Sequence, residues 1–453
     1  MKFKSSVISV AISVAIFLAA SSGLAAQSLL DLPGLLGMQQ TSAQDNPVKV
    51  EYNVDFHYFF DLRNFEACDD IFMTTETYNV ARFSPSAIVR FDQGRNVTHR
   101  LALGVDLTKN LGANPTVQST YSDSEHEQSL RNFDLIKDFF FYYNYRSRMG
   151  KGTLDLYAGI YPRTVLGGDY TRAIFADDLI YYDPNLEGVT LKYEAPRLKA
   201  EITADIVGKR GIDRVGCEMI STAGAFKVVD WASLGWAASY AHSKGNYLAY
   251  CDTDVALFNP YVKVDFGSKS GIQELSLKAG AIASYQLDYS IINDEGAGDK
   301  VHFPMGAEAV LRVRNWDLGL ENTFYYGDNQ MVYRSSSYAD ISSAEVYSDA
   351  IYSGETFYYT RRGYPSWYNR LEVFWQPLNG GFISTRISAI GHFITPAGED
   401  ENRIGPFVGV QGKASLLFNL DAFRHPRGNA DEGRRVRQAR QARPVPDGPV
   451  LSL

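Results

Sequence analysis

The sequence predicts an all-β chain: a single antiparallel transmembrane barrel of about sixteen strands, with fourteen to eighteen as the bounds. Three observations predict it. The first is the run Val50 to Asp61, in which Val50, Tyr52, Val54, Phe56, Tyr58 and Phe60 alternate with Glu51, Asn53, Asp55, His57 and Asp61, and only Phe59 breaks the pattern. Successive side chains of a strand point to opposite faces, so such a segment has one greasy face and one wet face. The second is that connections after even-numbered candidate strands are short and those after odd-numbered ones are mostly long. The third is an export-type N-terminus followed by no run of 18 or more apolar residues.

The N-terminus carries Lys2 and Lys4, an apolar stretch from Val7 to Ala20, and the small residues Ser21, Ser22, Gly23, Ala25 and Ala26. That order reads as a signal peptide over residues 1–25, cut before Ala26 or Gln27. Residues 26–47, rich in Leu and then in Gln, Ser and Thr, read as a periplasmic linker. The barrel is expected over 48–423. Its candidate strands lie near 48–61, 79–92, 97–108, 135–146, 152–161, 188–195, 199–207, 219–229, 231–242, 256–266, 272–285, 303–314, 316–326, 366–376, 381–393 and 406–420. Long connections fall at 62–78, 109–134, 162–187, 208–218, 243–255, 286–302, 327–365 and 394–405. Membrane barrels pair short periplasmic turns with longer outward loops, whereas a β-sandwich or propeller has no reason to alternate them. This places both chain ends in the periplasm. Residues 424–453, with seven Arg against Asp431, Glu432 and Asp447, read as a disordered Arg- and Pro-rich tail.

Composition narrows the function. Formal net charge is −8; the tail contributes +4 and the signal segment +2, so the rest of the chain carries −14. That balance argues against nucleic acid as a partner. Cys68, Cys217 and Cys251 are an odd set, so at least one thiol stays unpaired; Cys217 and Cys251 either pair or remain separate, and sequence alone does not decide.

Three stretches carry a resemblance: His99 to Leu107 (HRLALGVDL); Ala158 to Arg163 (AGIYPR) running through Tyr181 to Gly188 (YYDPNLEG); and Asn259 to Asp265 (NPYVKVD). They resemble Gram-negative outer-membrane porin-like barrels over roughly residues 48–423. The resemblance implies the cell outer membrane, contact with its lipids and lipopolysaccharide, and, by analogy with porins, a homotrimer. It brings no catalytic residue. One departure from that pattern is the tail: such barrels usually end on an aromatic residue, for which Phe423 is placed, yet Arg424–Leu453 follows.

No enzyme is expected, and no cofactor. There is no Gly-x-Ser-x-Gly elbow. His126-Glu127 lacks the second histidine of a zinc-protease motif, since residue 130 is Leu. Gly412-Lys413 lacks the upstream glycine and the following Ser or Thr of a phosphate loop. The acidic run Asp123 to Glu127 suits a divalent cation bridging lipopolysaccharide, but such runs are more often solvated loops, so no metal site is assigned.

The third long loop, Pro162–Glu187, carries Arg163, Asp169, Arg172, Asp177, Asp178 and Asp183, with Gly167-Gly168 as a flexible point. It also carries Val165, Leu166, Ile174, Phe175, Leu179 and Ile180, which gain nothing from water. The expectation is a loop folded into the lumen as a pore constriction; its rival is an outer lid resting on neighbouring loops. The wet face carries both signs. Lumen-lining candidates are Asp55, Arg82, Arg90, Arg100, Asp106, Glu308, Arg312, Arg370 and Arg386. Lys263, Lys278, Asp92, Glu201, Asp205, Asp265, Glu274, Glu321 and Glu372 share that face. Charges in such positions tune ion selectivity or pair across strands. The functional expectation is a passive, water-filled pore for small hydrophilic solutes or ions, with weak cation preference from Asp169, Asp177 and Asp178. The alternative is a non-conducting surface or binding barrel whose lumen is sealed by its own loops, as the long seventh loop 327–365 suggests.

Overall fold

In the computed structural model the alternating segments become strands, and their backbones pair into one closed antiparallel sheet. The structure describes residues 48–65, 77–94, 96–111, 136–177, 179, 184–207, 217–243, 253–267, 271–293, 296–328, 330, 354–355, 358, 366–380, 382–395 and 407–419. The signal segment 1–25, the linker 26–47, the acidic run 123–127, Cys68, Cys251 and the tail 424–453 lie outside the described residues.

The strands are β1 (Val48–Phe65), β2 (Thr77–Gln93), β3 (Val97–Asn110), β4 (Ile136–Met149), β5 (Gly152–Pro162), β6 (Asn185–Glu194), β7 (Leu198–Val207), β8 (Cys217–Val229), β9 (Ala232–Ser243), β10 (Thr253–Asp265), β11 (Glu274–Asn293), β12 (Gly296–His302), β13 (Met305–Asn315), β14 (Leu318–Gly327), β15 (Ser366–Trp375), β16 (Ile383–Ile394) and β17 (Phe407–Asn419). These seventeen segments make sixteen staves. β12 and β13 both pair with β11, β12 against Gln286–Asn293 and β13 against Glu274–Ala283, so the two lie end to end in one stave. Pro304, which has no N–H to donate, separates them. The β11–β12 ribbon occupies part of what the sequence reads as the sixth long loop, where alternation is weak.

β1 pairs with β17 from Asp55↔Asn419 to Phe65↔Gly409, and this closes the sheet. Hairpin-linked strands alternate in direction, so first and last can pair antiparallel only if the stave number is even. Closure leaves no edge, which is what hydrocarbon demands of a sheet: an unpaired backbone group there costs several kcal/mol. The hairpin between β13 and β14 turns on Trp316 and Asp317, with φ of 50° and 67°, the left-handed pair of a type I′ turn.

Alternation sorts the two faces as expected. Val50, Tyr52, Leu103, Phe139, Phe141, Ile202, Phe258 and Val373 are exposed on the outside. Asp61, Arg82, Asp106, Glu201, Lys278, Glu321, Arg370 and Glu372 are buried inside. This reverses a soluble protein and fits lipid outside. Phe59, the residue out of step in β1, is buried among the inward-facing side chains. A polar pair interrupts the outer face: Asn322 and Asn369 exchange two amide hydrogen bonds of 3.1 Å across β14 and β15, so each satisfies the other.

The sidedness gives a direct test. Leu103→Arg sets a charge on the lipid face of β3 and should cost ~2–4 kcal/mol if it lies near the bilayer midplane. Arg100→Leu on the inward face of the same strand should cost less. Urea unfolding of the barrel in lipid bilayers measures both; equal losses would mean the faces are misassigned.

Candidate functional site

The third loop leaves β5 at Pro162 and returns to β6 at Asn185. Its ends are tied together: the Arg163 N–H donates to the Pro184 carbonyl at 2.8 Å. A single 3-10 turn, Arg163–Val165, then starts the chain across the lumen. From there the described polar groups of the loop reach staves around the lumen. The Arg163 guanidinium is buried against Asp205 of β7 at 3.2 Å. The Gly167 and Gly168 N–H groups each donate to Glu201 of β7 at 2.9 Å. That approach requires glycine at 168, where a Cβ would stand 2.4 Å from the Ala223 side chain.

Asp169 bridges Lys263 of β10 at 2.9 Å and Lys278 of β11 at 3.2 Å. The Thr171 hydroxyl donates to Glu308 of β13 at 2.7 Å. Arg172 contacts Glu321 of β14 at 2.6 Å and Thr323 at 3.2 Å. Asp177 accepts from Arg172 at 3.2 Å, Arg370 of β15 at 3.2 Å and Lys413 of β17 at 3.1 Å.

The loop's apolar residues complete the docking. Ala173 and Ile174 are buried in one cluster with inward-facing Met219, Ala223, Ala237, Leu257, Ile282, Tyr325, Tyr368 and Ile394, drawn from β8 to β16. Tyr170 and Phe175 pack against it. A smaller cluster joins Val165 and Leu166 to Tyr142, Tyr157, Tyr161 and Leu186. The seventh loop reaches the same place. Tyr358 is buried beside Tyr325 and Tyr368, and its hydroxyl donates to Glu308 at 2.5 Å. The Glu355 N–H donates to the Arg172 carbonyl at 2.7 Å. Two loops thus meet on one buried carboxylate inside the barrel.

Beneath the third loop lies a cavity of about 420 Å³. Glu274, the first residue of β11, and Gln376, just after β15, line it, so it faces the end with the short turns. Its wall is a chain of ion pairs. Arg312 donates to Glu321 at 2.7 Å, Arg370 to Glu372 at 2.7 Å, and Arg386 to Glu372 at 2.6 Å. The Arg386 guanidinium lies 3.7 Å from the Phe374 ring centroid. A second cavity of about 320 Å³ lies against Gly167–Asp169 and Lys192 at the same end.

Of the loop residues singled out in the sequence, Arg163, Asp169, Arg172 and Asp177 contact the inner wall, while Asp178 and Asp183 lie outside the described residues. Among the wall residues, Arg312, Arg370 and Arg386 join Arg172 and Asp177 in one network, and Glu308 holds both loops. Arg82 and Asp106 form a separate buried knot, with the Arg82 Nε donating at 3.0 Å and Asn185 bonded to both. Arg90 and Arg100 sit elsewhere, with Glu51 between them at 3.5 and 3.8 Å, and Asp55 bonds Asn53 and Asn419. Sequence reasoning missed Lys413, Thr171 and Tyr358. Lys413 was legible in principle: it shares its β17 face with Gln411, on the buried side. Asp169 and Asp177, two of the three carboxylates behind the expected cation preference, are engaged by wall cations, and the third, Asp178, lies outside the described residues. Among the described residues no group of three or more His, Cys, Asp or Glu is disposed to hold a metal ion.

No protein-family model matches the sequence, and no curated protein matches it. Solved structures do. Pseudomonas aeruginosa OccK2 (OpdF) is 11% identical with a TM-score of 0.42, over 82% of this chain and 98% of that one. Pseudomonas aeruginosa OccK9 (OpdG) is 10% identical with a TM-score of 0.40, over 82% and 98%. Salmonella typhi OmpF is 8% identical with a TM-score of 0.40, over 84% and 100%. The fold is a closed antiparallel transmembrane β-barrel of sixteen staves with a loop docked in its interior. At these identities the likeness is one of fold alone.

Burial by itself would raise the carboxyl pKa values of Asp169 and Asp177. Lys278, Lys263 and Arg312 overcome this for Asp169, and Arg172, Lys413 and Arg370 do so for Asp177, so both lie below the usual carboxylate range. A depressed folded-state value contributes stability above the unfolded value of about 3.9 and loses it only as pH falls through the lower, folded one. The loop should therefore stay docked down to about pH 4. Amide exchange over residues 165–177, corrected for intrinsic rate, should show the same protection at pH 7 and pH 4.5; release between those values would contradict this pairing.

Proposed function

We propose that the chain is an outer-membrane channel through which small hydrophilic solutes or ions diffuse passively, without enzymatic activity and with both termini in the periplasm. The observation that carries the reading is the inner face. Ionised side chains line a barrel of sixteen staves, a size that leaves an aqueous channel unless something plugs it. Cavities of about 420 and 320 Å³ remain beneath the loop on the short-turn side. The loop narrows the lumen. The exposed apolar outer wall supports the outer membrane as the compartment, with its lipids and lipopolysaccharide as neighbours, and the short-turn end supports the periplasmic side.

A specific observation favours a second reading, a sealed surface barrel. The apolar cluster around Ile174 and Tyr358 is buried, and it crosses the lumen from β8 to β16. Single-channel recording in planar bilayers separates the two. The intact protein should conduct, and a variant with residues 165–180 replaced by a short Gly/Ser linker should conduct more and select less. Silence from both would establish the sealed barrel; conductance unchanged by the linker would leave the pore and remove the loop from it.

A further inference from the structure

The wall between β10 and β11 carries two features that work against a paired sheet. The first is Pro260, in the interior of β10. Its carbonyl faces β11, and a Cβ on Gly280 would stand 2.3 Å from it. In an antiparallel strand a residue's N–H and C=O point to the same neighbour, so the N–H that Pro260 lacks is missing from the β10–β11 ladder. The register is the same on either side, at Phe258↔Ala283 and at Tyr261↔Gly280, which sets Pro260 opposite Ala281. The Ala281 carbonyl thus loses its backbone donor in a membrane wall, where no water replaces it. The second feature is Lys263, which the same register sets directly opposite Lys278. Like charges so placed destabilise a sheet.

A side chain answers each feature. The Asn259 Nδ2 donates to the Ala281 carbonyl at 2.8 Å. Asn259 is fully buried on the inward face, and its Oδ1 takes no hydrogen bond among the described residues, so the amide is turned to serve that carbonyl and leaves its own oxygen unbonded. Between the lysines sits Asp169 of the third loop. Its Oδ2 accepts from Lys263 at 2.9 Å, while its Oδ1 and main-chain carbonyl accept from Lys278 at 3.2 and 2.9 Å. Among the described residues no other carboxylate pairs with either lysine. We propose that the β10–β11 seam is held from the inside by two side-chain stitches: Asn259, which supplies the donor Pro260 lacks, and Asp169, through which the third loop straps Lys263 to Lys278. The loop is then a member of the wall as well as an obstacle in the lumen. Both stitches act on the inward face of β10, and regular backbone pairing joins them.

The test is a pair of double-mutant cycles on the full-length protein, read by urea unfolding in lipid bilayers and by amide exchange of β10 and β11 in detergent micelles. Asn259→Ala should raise the unfolding constant about tenfold, the size expected when a buried carbonyl is left without a donor. Pro260→Ala restores a backbone N–H, so Asn259→Ala made in that background should change the constant by less than about twofold. The volume lost at residue 259 is the same in both backgrounds, so only the hydrogen bond differs. Equal losses in the two backgrounds overturn the Asn259 stitch. If Asn259→Ala alone does not fold, folding of the double variant supports the stitch, and failure of both overturns it. Asp169→Asn should speed exchange at residues 261–264 and 277–280 about tenfold, and Lys278→Met, which removes the facing charge, should cancel that increase. Unchanged exchange in Asp169→Asn, or an increase that survives Lys278→Met, overturns the strap.

Discussion

Everything in this molecule depends on the pairing of β1 with β17. In hydrocarbon an open sheet edge has no water to satisfy its N–H and C=O groups, so a sheet that spans lipid must close on itself. Closure fixes an even number of staves, a direction for each, and two faces that the sequence must fill alternately. It also creates the enclosed space that the third loop enters. A flat sheet of the same strands would have nowhere to put Ile174 or Asp169.

That space is an unusual solvent. It is walled by protein and floored by ionised groups, and charges there are screened less than in bulk water. Burying one charge alone would be prohibitive, so charges appear in chains: Arg312, Glu321, Arg172, Asp177, Arg370, Glu372 and Arg386. The loop contributes both signs to that chain. This makes its docking specific, because Arg163, Asp169, Arg172 and Asp177 each find a complement on a different stave, and a shifted loop would strand several at once. Removal of one buried partner is therefore more disruptive than the worth of a single pair suggests.

Apolar docking adds to this. Ile174, with Tyr358 from the seventh loop, builds a small buried apolar core in a compartment otherwise organised by charge. Glu308 joins the two systems through the hydroxyls of Thr171 and Tyr358. The charged half of the loop, around Asp177, faces a cavity, whereas the half around Ile174 faces packed side chains.

The barrel was legible in the sequence because its determinants are local. A strand's faces alternate with period two whatever lies beside it, so Leu101, Leu103, Val105 and Leu107 declare an outward face without reference to β2 or β4, and the loop lengths declare the ends. The loop's inward fold was legible too, from apolar residues with no reason to meet water. Local pattern did not reveal partnership. Asp177 and Lys413 are 236 residues apart in the chain, and Thr171 and Glu308 are 137 apart. Only the closed barrel brings them together, and only there does a loop carboxylate that reads as open to cations become one already held by Lys413 and Arg370. Sequence by itself determined the wall, since side-chain alternation and backbone satisfaction are properties of each segment. Tertiary structure alone decided the charge pairing of the lumen, since electrostatic complementarity depends on distances across the barrel that no segment encodes.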